Sequence, residues 1–300
     1  KEVLPSVYEA TWATLELAAR ERGMSVDQLG DHITPKCGLD ANGSRTFDYG
    51  SRQFHLVFDE HFEAKLRDSK NTIMDQLPKG RSGDDDELVA AANREWEVLS
   101  LELRDITRWQ SARLEQLMVK GRRWSIPSWR THIFEHPLMI NFARRLIWGI
   151  FDDAGNLESS FRTAEDETLV DVEDEEFALP ETGRVGIVHL LDLSTNMLEQ
   201  WREHLSDYSI ISPFPQLARR TFTVEPDEVG TFETKRFAET TFAPLAIHDG
   251  MIHYAWNREP GYYRTYFTKS FDTEKLLVQV NIAPGIHAGG AAEAGPQRVP

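Results

Sequence analysis

Cysteine is nearly missing from this sequence: Cys37 is the only one in 300 residues. A lone thiol excludes an intramolecular disulfide and suits a reducing compartment. Neither Thr34-Pro35-Lys36 before it nor Gly38 after it supplies an activating group, so Cys37 reads as an inert packing residue. Long apolar runs are absent too, which excludes a helical membrane span, and no charged-then-apolar leader opens the chain. The first residue is Lys1 and helical patterning has begun by Tyr8, so the start is expected to be an excision point in a longer polypeptide. Basic charge is scarce as well. The 33 Lys and Arg face 49 Asp and Glu, and a net charge of −16 repels polyanions from the chain as a whole. Several catalytic and nucleotide signatures are missing: G-x-S-x-G, G-x-G-x-x-G and C-x-x-C do not occur. The expectation is a cytoplasmic protein without a membrane partner.

What is present is core material. With 8 Trp, 16 Phe and 40% hydrophobic residues against 27% charged ones, the composition is globular and not disordered. Tyr8, Trp12, Leu15 and Ala19 share one face of a 3.6-residue period, a first helix stopped by Gly23. Ser25 and Gln28 form a capping-box pattern that starts a second helix through residues 29–33. Asn42-Gly43 signals a hairpin turn, after which Phe54, Leu56 and Phe58 alternate in a strand. Residues 63–68 and 72–74 continue the same antiparallel meander, and 78–83 reads as a linker.

The clearest element is a helix over 84–120, with Ala92, Trp96, Leu99, Leu103 and Ile106 on one face that drifts to Trp109, Leu114 and Leu117. Acids at its start and Lys120, Arg122 and Arg123 at its end match the helix macrodipole. Pro127 opens a short helix, Pro137 breaks the chain, and strands are expected over 157–163 and 184–190. Ser194 caps a helix carrying Leu198, Trp201 and Leu205. Residues 247–256, 262–267 and 276–282 read as β-rich, with Asp249-Gly250 as a hairpin turn between His248 and His253. No repeat of fixed period is evident. The fold class is therefore α+β: short antiparallel β meanders around a long central helix and several shorter helices. The expected parts are 1–80 (helices plus meander), 81–150 (long helix and a basic-aromatic segment), 151–285 (β-rich) and a flexible tail over 286–300.

Two features carry candidate chemistry. His132, Glu135 and His136 match H-x-x-E-H, in which two histidines one turn apart could hold a metal and the Glu could act as base. Pro137 follows at once and no third ligand is identifiable, so no metal or other cofactor is assigned. The second feature is electrostatic. Residues 120–148 hold Lys120, Arg122, Arg123, Arg130, Arg144 and Arg145 against Glu135 alone, with Trp124, Trp129 and Trp148 interleaved. Basic residues among aromatics are what grips phosphate and stacks on bases. Residues 152–181 then hold 12 acids and one base, Arg162. The favoured reading is that the two blocks face each other within the fold or across a subunit contact. The anion- or partner-binding candidates are Arg122, Arg123, Trp124, Arg130, Arg144, Arg145 and Trp148. His189 with Asp192, His204 with Asp207, and the extended segment Pro213-Phe214-Pro215-Gln216 read as structural.

Several strings together carry a family resemblance. They are Phe47-Asp48-Tyr49-Gly50 with Arg52 and Phe54, Ala112-Arg113-Leu114-Glu115-Gln116 running on to Gly121-Arg122-Arg123-Trp124, and His136-Pro137-Leu138. Arg145-Leu146-Ile147-Trp148-Gly149, Phe161-Arg162, Val185-Gly186-Ile187-Val188-His189 and Pro213-Phe214-Pro215-Gln216-Leu217 complete the set. In order and wording the chain resembles the MolR-like (molybdate metabolism regulator-like) domain of unknown function that stands C-terminal to WGR domains in large bacterial proteins. The resemblance implies a cytosolic part of a larger assembly and licenses no molybdate site. The leading expectation is a non-catalytic regulatory or scaffold module that contacts protein partners or other domains of the same polypeptide. The alternatives are a metal-dependent hydrolase using His132, Glu135 and His136, and a nucleic-acid or nucleotide-binding module using residues 120–148.

Overall fold

The computed structural model of the chain describes residues 5–253, 256–258, 263–271, 276–287 and 295–299. Two compact units emerge, residues 9–219 and residues 220–300 together with 1–8. Among the described residues there are seven α-helices and three small antiparallel sheets, the α+β class expected from the patterning. No helix among them is long and apolar enough to cross a membrane.

The chain enters through helix α1 (Pro5–Glu21), and Gly23 at φ 65° turns it into α2 (Val26–Ile33). The capping box read from Ser25 and Gln28 is formed in full, since the Ser25 hydroxyl accepts the Gln28 N–H and the Gln28 side chain accepts the Ser25 N–H. A four-stranded meander follows: β1 (Thr46–Asp48), β2 (Gln53–Phe58), β3 (Ala64–Asp68) and β4 (Ile73–Met74), each antiparallel to the next. Period-2 alternation turns Phe54 and Leu56 inward, with Leu56 opposite Leu66. Residues 78–83 do not separate domains. The Tyr49 hydroxyl donates to Pro78 O at 3.0 Å, while Arg52 donates to Lys79 O and grips Asp84. Arg52 and Ser51 hold the Asp84 carboxyl well below the usual carboxylate range.

Helix α3 (Asp86–Val119) is continuous over 34 residues and capped by Asp85, whose side chain accepts the N–H of Glu87 and Leu88. Its buried face runs Ala92, Trp96, Leu99, Leu103, Thr107, Gln110, Leu114, Glu115, Leu117 and Met118, with Glu115 held by Arg219. The apolar face therefore does not drift to Trp109, which is 51% exposed; two polar residues, Thr107 and Gln110, take the core positions instead. The helix touches β1 and β3 of the meander and β9 (Arg184–Ile187) of a second sheet. That sheet orders β5 (Arg123–Ser125), β9, β6 (Trp148–Phe151), β7 (Leu157–Thr163) and β8 (Leu169–Val170), all antiparallel. Between β5 and β6 lie α4 (Ile126–Trp129), a π-helical turn (Arg130–Phe134) and α5 (Met139–Ala143). One core cluster joins both sheets, α3 and these short helices, so the part boundaries expected at 80 and 150 run through a single core. A smaller cluster packs α6 (Thr195–Asp207), capped by Ser194, against Ile147, Phe151 and Val188.

A repeated turn is the device that closes these meanders. In the pentapeptides starting at Asp40, Asp59, Asp68, Asp152 and Asp171, residue one donates its N–H to the carbonyl of residue five and accepts the N–H of residue four. Residue four is left-handed in each: Gly43, Phe62, Asn71, Gly155 and Asp174. The leading Asp side chain also accepts backbone N–H groups two or four residues on. Ala164–Thr168 repeats the backbone pattern with Glu167 left-handed. The repeat has no fixed period, because strand lengths between turns vary.

In the second unit the five-stranded sheet runs β10 (Thr241–Phe242), β14 (Gln297–Arg298), β13 (Leu276–His287), β12 (Tyr263–Phe271) and β11 (Asn257–Arg258). Two expectations are corrected here. Residues 244–253 form helix α7 (Pro244–His253) instead of a strand with a turn at Asp249-Gly250, because Ile247 and Met251 recur at helical spacing and reach the unit's core. Nor is 286–300 a tail without a packing face: β13 continues to His287, and Gln297 is buried and accepts the Gly285 N–H at 2.8 Å. Residues 288–294 and 300 lie outside the described residues.

Candidate functional site

Among the described residues, a dense buried polar constellation lies where α2, α3 and β5 meet. Asp31 sits in the last turn of α2 with its side chain only 2% exposed, an expensive place for a carboxylate without partners. Three donors reach it from two other parts of the chain. Arg113 of α3 forms a buried ion pair with Oδ1, Trp124 of β5 donates its indole N–H to Oδ2 at 2.8 Å, and Arg122 stands 3.7 Å from Oδ2. Arg113 also donates to Asp27 O at 2.8 Å and lies against Gly30, where a Cβ would fall 2.8 Å from its Nε. Glycine at position 30 is what lets the guanidinium reach the carboxylate.

The network continues from Asp31 toward His136. Thr34 donates to Gly30 O at 2.9 Å and accepts from Gln110 Nε2 at 2.9 Å, and its carbonyl lies 3.2 Å from His136 Nε2. On the other side of the ring, Nδ1 accepts the N–H groups of Leu138 and Met139 at 3.3 Å each, so the proton sits on Nε2. Burial holds the His136 pKa below the usual histidine range. The imidazole is thus a neutral strut with both nitrogens occupied. This geometry does not deliver the H-x-x-E-H arrangement. His132 lies in the π-helical turn and packs its ring against His32, with centroids 4.3 Å apart, Glu135 is exposed, and His136 faces inward. Among the described residues no group of three His, Cys, Asp or Glu is placed to hold a metal ion.

The basic-aromatic candidates are dispersed by the fold. Trp124, Trp129 and Trp148 are all buried and meet edge-to-face at centroid distances of 5.5–6.0 Å, so they are core and not stacking platforms. Arg123 lies over the Phe151 ring at 3.4 Å, in space that Gly186 leaves open, and burial disfavours its charged form. Arg145 donates to the carbonyls of Asp59 and Phe58 at 2.6 and 2.9 Å and covers the Phe62 ring. Arg144 donates to Asn42 O at 3.2 Å and pairs with Glu167 at 3.0 Å. Lys120 and Arg130 are exposed. The two charge blocks therefore meet at the Arg144–Glu167 pair, while Arg122 is held by Asp31 and Arg145 by backbone carbonyls. Nine of the 12 acids in 152–181 lie in the three turn pentapeptides starting at 152, 164 and 171. Their density reflects turn chemistry.

Gln216 and His204, both read as structural from the sequence, are buried in bridges whose partners the sequence did not show. Gln216 accepts the Ile147 N–H at 3.0 Å and donates to Ile147 O and Val188 O at 2.8 and 2.9 Å, tying the extended 213–217 segment to the ends of β6 and β9. Arg162 donates to His204 Nε2 while His204 Nδ1 faces Val172 O at 3.1 Å, and Asp174 lies 3.5 Å from Arg162. Asp31 and Gln110 carried a weak signal, being polar residues at core-facing helical spacing. His189 is a turn cap: its Nδ1 accepts the Leu191 N–H, and its N–H donates to Asp192.

The fold and this interior define an α+β domain whose polar residues bridge its elements. The chain belongs to the family described as a domain of unknown function (DUF4132), which it matches over residues 72–256. It is 31% identical over 250 residues to the uncharacterized protein YehI of Escherichia coli (strain K12), covering 83% of this chain. The chain spans about a fifth of the length of that relative, and no solved structure matches it. These findings correct the resemblance drawn from the local strings: the family is DUF4132, and neither a molybdate regulator nor a WGR association is supported. Strings such as Trp148-Gly149-Ile150 are fully buried, core positions of this fold that carry no named role.

Proposed function

We propose that this chain is a non-catalytic regulatory or scaffold module of a longer cytoplasmic protein. The observation that carries the reading is the fate of its chemistry-bearing side chains. Asp31, Arg113, Arg145, His136 and Gln216 are each committed to bridging separate elements, and each bridge fixes geometry. A catalytic group needs a free lone pair or proton aimed at open space. A depression of about 380 Å³ among the described residues, lined by Thr241, Ala283, Pro284, Pro296 and Arg298, is shallow and offers one charged side chain. The half-buried Cys37 thiol, raised in pKa by burial, fits a reducing compartment.

A scaffold module works by contact with its neighbours. The stretch of the E. coli relative that matches this chain, expressed apart from the remainder of that protein, should re-associate with it in trans as a complex resolved by sedimentation velocity. Two independently sedimenting pieces would overturn the reading. So would a metal-dependent hydrolytic activity of the chain that is lost on His132→Ala.

A further inference from the structure

Residues 220–238 are mostly irregular, yet they are organised around a small hub of their own. Glu228 accepts the Glu225 N–H at 2.9 Å, the Thr234 hydroxyl and the Arg236 guanidinium. Arg236 also faces Glu225 at 3.6 Å and lies over the rings of Phe222 and Phe237, which meet edge-to-face at 5.0 Å. The Thr231 hydroxyl lies 2.8 and 2.9 Å from the carbonyls of Glu228 and Glu233, and Gly230 is left-handed at φ 80°. The hub fixes the loop without burying its remaining apolar residues. Val224 is 70% exposed, Val229 72% and Phe232 105%. Single exposed apolar residues are ordinary, but three within nine residues of one pre-ordered loop leave it with an unusual share of apolar side chains facing solvent. Residues 224–233 carry four acids and no base; Glu228 is used in the hub and Glu225 faces Arg236, so the exposed Asp227 and Glu233 are the acids that flank Val229 and Phe232 along the loop.

We propose that this loop is a docking element for a protein partner whose surface offers an apolar groove rimmed by Lys and Arg. Apolar knobs supply contact area, the flanking acids select a basic border, and pre-ordering lowers the entropy lost on binding. The proposal deepens the scaffold reading and rests on it, by naming the contact surface and the chemistry of its partner.

The probe is a short synthetic amphipathic Leu/Lys helix, with its Leu/Glu counterpart as control, titrated into the whole chain and read by fluorescence anisotropy. The Leu/Lys helix should bind, the Leu/Glu helix should not, and the double substitution Val229→Ser with Phe232→Ser should weaken binding roughly tenfold or more. Both positions are exposed, so the melting temperature should stay put. Glu228→Gln, which loosens the hub and leaves the knobs, should weaken binding as well. Because the chain is acidic throughout, an affinity unchanged by the double substitution would mean nonspecific charge attraction and overturn the proposal. A wild-type dimer abolished by the same substitution would assign the loop to a second copy. Binding to phosphatidylserine vesicles lost on that substitution would assign it to lipid. Either outcome overturns it too. Loss of the peptide effect with re-association in trans intact would sink this inference alone, whereas failed re-association with the peptide effect intact would sink the scaffold reading in the form tested.

Discussion

Trp124 aims its indole N–H at Asp31 Oδ2, 2.8 Å away and 93 residues earlier in the chain. That bond, with the Arg113 ion pair on the other carboxylate oxygen, clamps α2 between α3 and the first strand of the second sheet. Removing the acceptor leaves a buried guanidinium and a buried indole N–H without their partner. Asp31→Ala should therefore cost about 3–5 kcal/mol, the range for breaking a buried ion pair on one side. Urea unfolding measures it, and a loss under about 1 kcal/mol would show that water can replace the carboxylate.

Trp96 offers a cleaner packing test on α3. Its ring is 2% exposed and meets Phe47 edge-to-face at 5.6 Å, and its N–H donates to Asp75 O at 3.1 Å. Trp96→Ala should destabilise by about 3–5 kcal/mol through the lost burial and the cavity left behind. The solvent-facing Trp109, 51% exposed on the same helix, should tolerate alanine within about 0.5 kcal/mol. A comparable cost at both positions would contradict the placement of the helix.

The helical half of the fold was legible because its signals are local. The Ser25 capping box, the Ser194 cap and the period of α3 each depend on residues within one or two turns. The clamp was not legible. The one local sign at Asp31 is its core-facing helical position, which the half-buried Asp27 one turn earlier shares, and its partners lie 82 and 93 residues away. The charge blocks misled for a related reason: sequence shows charge density, but not that turn carboxylates are already bonded to backbone N–H groups. At α7, the local Asp-Gly turn preference lost to helical burial of Ile247.

The turn geometry makes its own prediction. Gly43 sits at φ 77°, and a Cβ there would fall 2.4 Å from Asn141 Nδ2 and 2.7 Å from Pro137 O. Gly43→Ala should therefore cost more than the left-handed penalty of about 1–2 kcal/mol alone. Asn71 holds the equivalent position at φ 62°, and Asn71→Gly should be neutral or slightly stabilising. Paired thermal melts decide it, and an equal effect of the two changes would refute the turn equivalence.

Acid should weaken the fold through its buried imidazoles. Burial lowers the His136 and His204 pKa values below the ordinary range of about 6.5. Lys36 and His132 push His136 the same way; Arg162 does so for His204, against Asp174 and Asp207. A histidine depressed in the folded state binds its proton more readily when unfolded. Its stabilising contribution is complete above about pH 6.5 and is lost as pH falls through the folded-state pKa. Melting temperature should fall on acidification below that point, with a shallower slope in His136→Asn, whose amide oxygen can accept the Leu138 N–H as Nδ1 does. An unchanged slope would mean that other groups carry the transition.

The exposed remnant of the basic segment gives the last test. Buried Trp124, Trp129 and Trp148 have no face to offer a base without unfolding the core. Arg144 is paired with Glu167, and Arg145 is spent on two carbonyls. That leaves Lys120 and Arg130 facing solvent on a chain of net charge −16. Two cations release few counterions, so affinity for a single-stranded oligonucleotide should be negligible at physiological salt, with a shallow salt slope of at most about two phosphate contacts. Reversing both charges, Lys120→Glu with Arg130→Glu, should change neither that result nor the melting temperature. By contrast, Arg144→Glu should lower the melting temperature, because it sets two acids together at the Glu167 turn. A salt titration beside thermal melts reads all three proteins at once. Tight, steeply salt-dependent binding by the wild type, abolished in an equally stable Lys120→Glu/Arg130→Glu protein, would establish a nucleic-acid face on this segment and displace the scaffold reading.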